Sequence, residues 1–274
     1  MVLDGKVVKA SYNMDVKERF VHASVIEVDE EGFRSRFIIG NRPTQKNRKG
    51  EWGAALSILE GLIPLPQNCR VLLSGDAGFC VEEFCSWISS HAGLYYFFRI
   101  KSNAGWIYDK IVSCAESVRK SIPEGDYYED VRISGSQIHS RRMWVMGGLK
   151  DSLYPGIREG IVIEKNNLDS GKKELQYFIC SYPDNLWSCS ERLERALLHW
   201  DTETGIFGVK DITFNEDRVR YKTIEGANSH VTLLNIANNC LYAPVFRNFW
   251  GNNAPLSNRI RFCIDKPEMI PLLE

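Results

Sequence analysis

The stretch V-L-L-S-G-D-A-G-F, residues 71–79, decides the fold of this 274-residue chain. The apolar run Cys69–Ser74 predicts a short strand, and Asp76 follows it in a glycine-containing turn. Helical spacing then predicts a helix over Val81–Ser90, and a second apolar run predicts a strand over Leu94–Ile100. Strand–helix–strand connections favour parallel pairing, so we expect Asp76 at the sheet edge where such sheets bind ligands.

Three strands and one helix are predicted before this strand–helix–strand segment, which begins at Cys69. A strand ends at Asp4, and strand-forming residues follow at Arg19–Asp29 and Phe33–Gly40. Apolar residues at helical spacing predict a helix over Glu51–Leu62, which Pro64 ends. The order βββαβαβ predicts an α/β fold, with a mixed sheet flanked by helices.

The character of the sequence changes after residue 103. Strand signals then dominate with little helix between them, until helical periodicity resumes at Trp187–Leu198 and again at Ile224–Tyr242. We therefore predict four segments: a first core part at 1–103, a β-rich insertion at 104–186, a second core part with two helices at 187–243, and an unassigned tail at 244–274.

Composition indicates a soluble globular protein, with 44% hydrophobic residues. No apolar run approaches the roughly 18 residues of a membrane helix, and no signal-peptide pattern opens the chain, so we expect a cytoplasmic protein without a membrane partner. The eight cysteines never form C-x-x-C, which favours reduced core residues over zinc ligands or disulfides. A net charge of −1 does not itself favour nucleic-acid binding, although basic residues cluster at 41–50, at 97–103 and around Arg141.

Three acidic residues are the candidates for metal binding and catalysis. Asp4 and Asp76 close short apolar runs, and Glu203 lies in the helical stretch L-L-H-W-D-T-E-T-G. Magnesium and manganese prefer carboxylate oxygen. Two such ions roughly 4 Å apart can activate an attacking hydroxyl and stabilise a leaving oxygen at phosphorus. Each acid alone is explained as a turn or surface residue, whereas the three together indicate phosphodiester chemistry.

Several short motifs strengthen this interpretation. D-G-K stands at 4–6, a K-x-N-like element at 101–103, and Y-P-G-I at 154–157. The most specific motifs are H-W-x-x-E at 199–203 and D-I-T-F-N-E-D-x-x-R at 211–220. From Asp4 to about Tyr242, the chain resembles insertion-sequence transposases of the DDE class, in which an RNase H-like core carries a β-strand insertion between the second Asp and the Glu.

The resemblance implies an RNase H-like fold in which Asp4, Asp76 and Glu203 are the catalytic, metal-binding triad. The cofactors would be two Mg²⁺ ions, with Mn²⁺ as a substitute. The activity would be hydrolysis at the ends of an insertion sequence and transfer of the freed 3′-hydroxyl to target DNA. The partners would be both DNAs, bound by a homodimer at the nucleoid of a prokaryotic cytoplasm.

Basic, amide and aromatic residues near the motifs are candidate DNA contacts: Lys101, Arg99, Asn103, Arg141, Lys210 and Trp200. Lys210 follows Glu203 by seven residues, about two helical turns, so both can face one groove; this spacing resembles the family's E-x6-K. Trp200 could stack on a displaced base. Core packing explains Trp200 somewhat better than stacking does, and simple solvent exposure explains Arg99 and Lys101 as well as phosphate contact does.

The sequence departs from the family pattern at several positions, and these departures support an alternative to an active transposase. Thr202 and Thr204 replace the usual Ile and Asn beside the Glu, and the Tyr and Arg of the wider signature fall on Ala196 and His199. The three residues before Asp4 are short for a strand, so we expect a truncated chain. The alternative is therefore a transposase remnant that keeps the fold and weak DNA binding without catalysis; a plain nuclease of the RNase H-like superfamily is a third possibility.

Two further groups of ionisable residues have structural explanations. Asp211, Glu216 and Asp217 form a second acidic cluster, which we expect to anchor the segment after the catalytic helix rather than to bind metal. His22 and His199 could assist proton transfer, but a packed position explains each of them better.

Overall fold

Nine strands and seven α-helices are present in the described part of the computed structural model of this chain. They fall into two compact units, one formed by Met1–Gly61 with Trp200–Glu274 and the other by Leu62–His199. The residues described are 1–8, 18–28, 34–44, 50–120, 127–134, 137–150, 153–183, 187–219, 221, 223–242 and 256–265. None of the helices described there is long and apolar enough to cross a membrane.

The first unit contains three antiparallel strands, β1 (Val2–Val8), β2 (Glu18–Val28) and β3 (Arg34–Pro43). β2 pairs with β1 on one side and with β3 on the other, and a bulge interrupts the second pairing between Ala23 and Ser24. These strands are rich in Val, Ile and Phe, which favour extended backbone because their side chains pack well on a pleated surface.

Helices lie on both faces of these strands. α1 (Gly50–Glu60) buries Trp52, Ala55 and Leu59 on one face. The other face is covered by helical segments. A π-helical stretch (Thr202–Phe207) runs directly into α5 (Gly208–Ile212), and α6 (Ile224–Tyr242) follows after a connection that is not continuously helical. α7 (Leu256–Asp265) packs against α6.

The docking of α6 on β3 uses asparagine side chains. Asn239 accepts a hydrogen bond from the Ile38 N–H at 2.8 Å and donates one to the Ile38 carbonyl at 2.9 Å. Asn41 bonds Asn228 and Asn235 at 3.0 Å each. The helix therefore satisfies backbone groups of β3 that a further strand would otherwise occupy.

The second unit contains a mixed sheet with the strand order β4-β5-β9-β8-β7-β6. β4 and β5 are parallel, and every other pairing in this unit is antiparallel. The strands are β4 (Val71–Gly75), β5 (Leu94–Ile100), β6 (Tyr127–Ser134), β7 (Gln137–Met146), β8 (Glu159–Asn167) and β9 (Lys173–Cys180). Three helices, α2 (Glu82–Ser89), α3 (Trp106–Val118) and α4 (Cys189–Asp201), accompany them, and the last two residues of α4 belong to the first unit.

A continuous apolar core joins α4 to this sheet. Phe97, Met143, Ile161 and Leu193 are almost fully buried in it. The buried Arg192 of α4 donates to both carboxylate oxygens of Glu159 on β8. A buried charge is tolerated only when it is paired and hydrogen-bonded, so this ion pair specifies where α4 lies on the sheet.

The predicted α/β class and the order βββαβαβ are confirmed, but two local predictions are wrong. The strand predicted to end at Asp4 continues to Val8, because the hairpin with β2 pairs residues as far as Val8 and Glu18. The segment predicted to hold little helix contains α3, in which Ile107, Ile111 and Ala115 form a narrow buried stripe. The other faces of α3 carry polar residues, so the sequence shows only a weak helical periodicity of apolar residues there.

The predicted segment boundaries (1–103, 104–186, 187–243 and 244–274) remain predictions. The strands of the proposed insertion extend the sheet of the second unit, since β9 pairs directly with β5. Within the predicted tail, residues 256–265 form α7, and the rest of the tail lies outside the described residues. The cysteines in the described part are free thiols. Cys80, Cys85 and Cys180 are buried, as predicted for core residues, whereas Cys69 is exposed.

Gly5 provides a test of the packing between β1 and α1. A Cβ atom at Gly5 would collide with the carboxyl group of Glu51, which forms an ion pair with Arg19 at 2.8 Å. The Glu51 carboxyl is the end of a flexible side chain and can move aside at the expense of its ion pair with Arg19. We therefore expect Gly5→Ala to lower the free energy of unfolding by about 0.2–1 kcal/mol, the usual contribution of such a pair. Urea unfolding followed by circular dichroism measures this change.

Two further variants serve as controls for this clash. In a Glu51→Ala background, which lacks the colliding group, Gly5→Ala causes no further loss of stability. Gly226→Ala, on an exposed position of α6, leaves stability unchanged or slightly higher because Ala favours helix. Equal stability of Gly5→Ala and the wild type would contradict the packing.

Candidate metal centre

Asp4 lies in the middle of β1 and its side chain is buried. Its Oδ1 accepts the Gly5 N–H at 2.8 Å, which orients the carboxylate toward one face of the sheet. His22 lies directly opposite Asp4 on β2, and Asn41 lies opposite His22 on β3. Directly paired residues share a face, so Asp4 points to the side of the sheet covered by the π-helical stretch and α6.

Glu203 is the second residue of the π-helical stretch, and its side chain is exposed. The residue before it, Thr202, is fully buried, and its hydroxyl is hydrogen-bonded to the Ser24 hydroxyl of β2 at 3.2 Å. Single π-turns are rare and often occur at functional sites. Thr202 thus anchors the turn to the sheet, and Glu203 projects from that turn.

The fold brings Asp4 and Glu203 together. Each offers a carboxylate oxygen, and the two oxygens lie within 4.8 Å of one another. Two carboxylates at this separation can share a divalent cation, and hard oxygen donors suit Mg²⁺ or Mn²⁺. Asp4 is buried and Glu203 exposed, so the pair combines a rigid ligand with one that solvent reaches. The donor set therefore fits the predicted metal.

Asp76 directly follows β4, as predicted, and belongs to the second unit. Its Oδ1 accepts the Gly78 N–H at 2.8 Å, and its carbonyl accepts the Phe79 N–H at 3.2 Å. A Cβ atom at Gly75 would lie 2.8 Å from the ring of the fully buried Phe79. The sequence S-G-D-A-G-F thus forms a compact turn that presents Asp76 at the end of its strand.

A group of four charged residues lies beside Asp4 and Glu203 in the first unit. The Lys6 ammonium forms ion pairs with Asp211, at 2.5 Å, and with Glu216. The Lys210 ammonium lies 3.7 Å from the other oxygen of Glu216. We name Lys6, Lys210, Asp211 and Glu216 the ion cluster. Burial lowers the pKa of Lys210 to about 8, against the opposing effect of Glu216.

The expectation that Asp211, Glu216 and Asp217 anchor the segment after the helical stretch that carries Glu203 agrees with the contacts of Asp211 and Glu216. Glu216 is fully buried and bonded to Lys6 of β1, which identifies it as a structural partner. The side chain of Asp217 lies outside the described residues.

His22 is completely buried, with its ring 5.2 Å from that of Phe207. Neither ring nitrogen has a hydrogen-bond partner among the described residues. Burial, reinforced by the positive charges of Lys210 and Lys6, holds the pKa of His22 well below its ordinary value. A neutral, enclosed imidazole suits a packing role rather than proton transfer. His199 lies four residues before Glu203, near the end of α4.

The candidate DNA contacts of the second unit occupy different environments. Lys101 is exposed just after β5, whereas Arg99 pairs with Glu174 at 3.2 Å. Asn103 is exposed and donates to the Ala77 carbonyl at 3.4 Å, next to Asp76. Arg141 is largely buried within the sheet and lies 4.0 Å from Asp130. Lys101 is therefore the most accessible cation of this group.

The two remaining candidates belong to the first unit. Lys210 is fully buried and faces Glu216, so its ammonium does not reach the surface on which DNA would lie. The π-turn between Glu203 and Lys210 explains this position, because it changes the angular relation that an α-helix gives to a seven-residue spacing. The side chain of Trp200 lies outside the described residues.

The contacts of Lys6 were not predicted from the sequence. Its position two residues after Asp4, on the same face of a strand, was the signal available. Its partners lie more than 200 positions away, and nothing in the local sequence identifies them.

When the sequence is compared with models of known protein families, one family matches. The family model described as a transposase DDE domain matches residues 2–240, which include Asp4, Asp76 and Glu203. No curated protein sequence matches the chain. The α/β fold agrees with the RNase H-like architecture expected of such a domain.

The lowered pKa of His22 predicts a pH dependence of stability. As the pH falls through about 6.5 the unfolded chain takes up a proton on His22, whereas the folded protein takes it up only at lower pH. The unfolded state then binds more protons, so the free energy of unfolding falls as the pH falls. Between pH 7.5 and 5.5 this residue contributes a loss of at most about 1.4 kcal/mol, the value for a folded state that stays unprotonated.

The variant His22→Phe keeps a ring of similar size and removes the titrating group. We expect its stability to fall less than that of the wild type between pH 7.5 and 5.5, by at most about 1.4 kcal/mol. Urea unfolding at the two pH values measures the difference. The same pH dependence in both proteins would show that His22 is protonated when folded.

Proposed function

Since this chain belongs to the transposase DDE domain family, we propose that it cuts phosphodiester bonds at the ends of an insertion sequence and joins the freed 3′-hydroxyl to target DNA. The observation that carries the proposal is the closeness of the Asp4 and Glu203 carboxylates, from residues 199 positions apart in the chain. A cation held between two such carboxylates offsets their mutual repulsion, so the pair suits metal-dependent phosphoryl transfer.

In the proposed site, Asp4, Asp76 and Glu203 hold two Mg²⁺ ions, for which Mn²⁺ can substitute. The bound ions would supply an activated hydroxyl and stabilise charge on the leaving oxygen. Asp76 is included by its place in the motif order and by the turn that presents it at the end of β4.

The protein groups perform distinct tasks around this chemistry. Asp4, oriented by the Gly5 N–H, provides a fixed carboxylate within the sheet. Glu203, exposed on its π-turn, lies where a DNA strand can approach. Thr202 holds that turn against β2 through Ser24. No separate protein base is needed, which is consistent with the enclosed position of His22.

DNA is the proposed partner, both as insertion-sequence ends and as target. Lys101 is proposed as the first phosphate contact because it is an exposed cation at the end of β5. Arg99 and Asn103 flank it, and Asn103 also bonds the turn that carries Asp76. Since two ends must be cut and joined together, the proposed active form is a homodimer on DNA.

A cleavage assay tests the triad. With Mg²⁺ and a supercoiled plasmid, we expect Asp4→Asn, Asp76→Asn and Glu203→Gln each to lower the nicking rate by about a hundredfold or more, because metal stabilisation of the transition state is worth several kcal/mol. The matched control is Asp109→Asn, on an exposed position of α3, which keeps the wild-type rate.

Two outcomes of this assay would contradict the proposal. Equal nicking by the wild type and the triad variants would show that the three acids do not form the site. A folded wild type that cuts no DNA with Mg²⁺ or Mn²⁺ would favour the alternative, a domain that keeps the fold without catalysis.

The role of Lys101 is tested separately, by DNA binding without metal. Removing one phosphate contact should reduce the slope of log K against log salt by about 0.9. We expect this reduction for Lys101→Ala and not for Lys110→Ala, which removes an exposed cation on α3. Equal slopes for Lys101→Ala and the wild type would exclude Lys101 as a phosphate contact.

A further inference from the structure

We propose that the ion cluster of Lys6, Lys210, Asp211 and Glu216 positions the Asp4 and Glu203 carboxylates, and that Lys210 acts within it as a positioning residue. This inference rests on the proposed function, because it assigns the cluster to the same metal-binding pair. It departs from the expectation that Lys210 contacts DNA.

The cluster joins the two chain segments that carry the acids. Lys6 and Asp4 lie two residues apart on β1, so their side chains share one face. Asp211 and Lys210 lie on α5, which follows directly from the π-helical stretch that carries Glu203. The ion pair from Lys6 to Asp211 thus connects the strand of one acid to the helix of the other.

Glu216 is a further link between β1 and α5, because it contacts a lysine on each of them. It lies in a short 3₁₀ turn after α5, and its two oxygens contact the two lysines separately, Oε2 with Lys6 and Oε1 with Lys210. The carboxylate is fully buried and therefore has little freedom to move. A single rigid group consequently sets the distance between β1 and α5.

The charges within the cluster balance, with two ammonium groups and two carboxylates. His22 is neutral beside them, so it adds no further positive charge. Buried charges tolerate little displacement, because each loses its partner when the geometry changes. A shift of α5, and with it the Glu203 turn, would therefore break these contacts.

The position of Lys210 distinguishes this role from a DNA contact. Its side chain is fully buried, whereas a phosphate contact requires an ammonium at the surface. Partners that orient metal ligands without touching the metal typically alter metal affinity by 10–100-fold when they are changed. Substitutions in the ion cluster should accordingly change the affinity for metal and leave the salt dependence of DNA binding unchanged.

The experiment measures Mn²⁺ affinity by electron paramagnetic resonance of the free ion, at a temperature where circular dichroism shows each variant folded. We expect Glu216→Gln and Lys210→Met to weaken Mn²⁺ binding about tenfold or more. Glu225→Gln, which removes an exposed carboxylate at the start of α6, binds Mn²⁺ as the wild type does.

Should Glu216→Gln fail to fold, the double variant Glu216→Gln/Lys210→Met carries the same test, because it removes one charge of each sign. Wild-type Mn²⁺ affinity in the folded variants would overturn the inference while leaving the proposed function intact. Tenfold weaker binding in the variants, with no DNA cleavage by the wild type, would support the cluster and overturn the proposed catalysis. No Mn²⁺ binding by the wild type would overturn both.

A second measurement separates positioning from DNA contact. Without metal, Lys210→Met should keep the wild-type salt dependence of DNA binding. A slope smaller by about 0.9 would identify Lys210 as a phosphate contact and overturn its assigned role.

Discussion

The alternation of side chains along β1 is the constraint on which the first unit depends. In D-G-K, Asp4 and Lys6 project to one face, and Gly5 leaves space on the other face for Glu51 of α1. One strand therefore contributes a carboxylate and an ammonium to the same side of the sheet. The π-helical stretch, α5 and α6 then lie over that side, because Thr202, Asp211 and Asn239 each find a polar partner there.

Burial of charge accounts for much of what surrounds the acidic pair. Lys6, Lys210 and Glu216 are almost fully buried, and a buried charge is stable only next to one of opposite sign. Phe207 packs between these groups and β2, with its ring near His22 and the Lys6 ammonium 5.6 Å from its centre. The environment that keeps His22 neutral also restrains the helical segment after Glu203. Packing and electrostatics thus act on the same few residues.

Much of the fold follows from local patterns. Leu94–Ile100 and Ile224–Tyr242 were predicted with the bounds that the structure shows, because long apolar periodicity specifies an element strongly. The turn at Asp76 follows from its glycines. The helix α3 was missed because its buried stripe is narrow, and the end of β1 was misplaced because strand pairing, rather than the sequence around Asp4, determines how far the strand runs.

By itself, the sequence determined the α/β class, the order of the first seven elements, the three candidate acids and the family resemblance, since these depend on residue type and spacing along the chain. Only the tertiary structure decided that Asp4 and Glu203 lie together, that Lys6 pairs with Asp211 and Glu216, and that Lys210 is buried. The physical reason is that these contacts join residues about 200 positions apart, through strand pairing and a π-turn that changes the helical register. No local sequence pattern encodes the strand pairing or the π-turn.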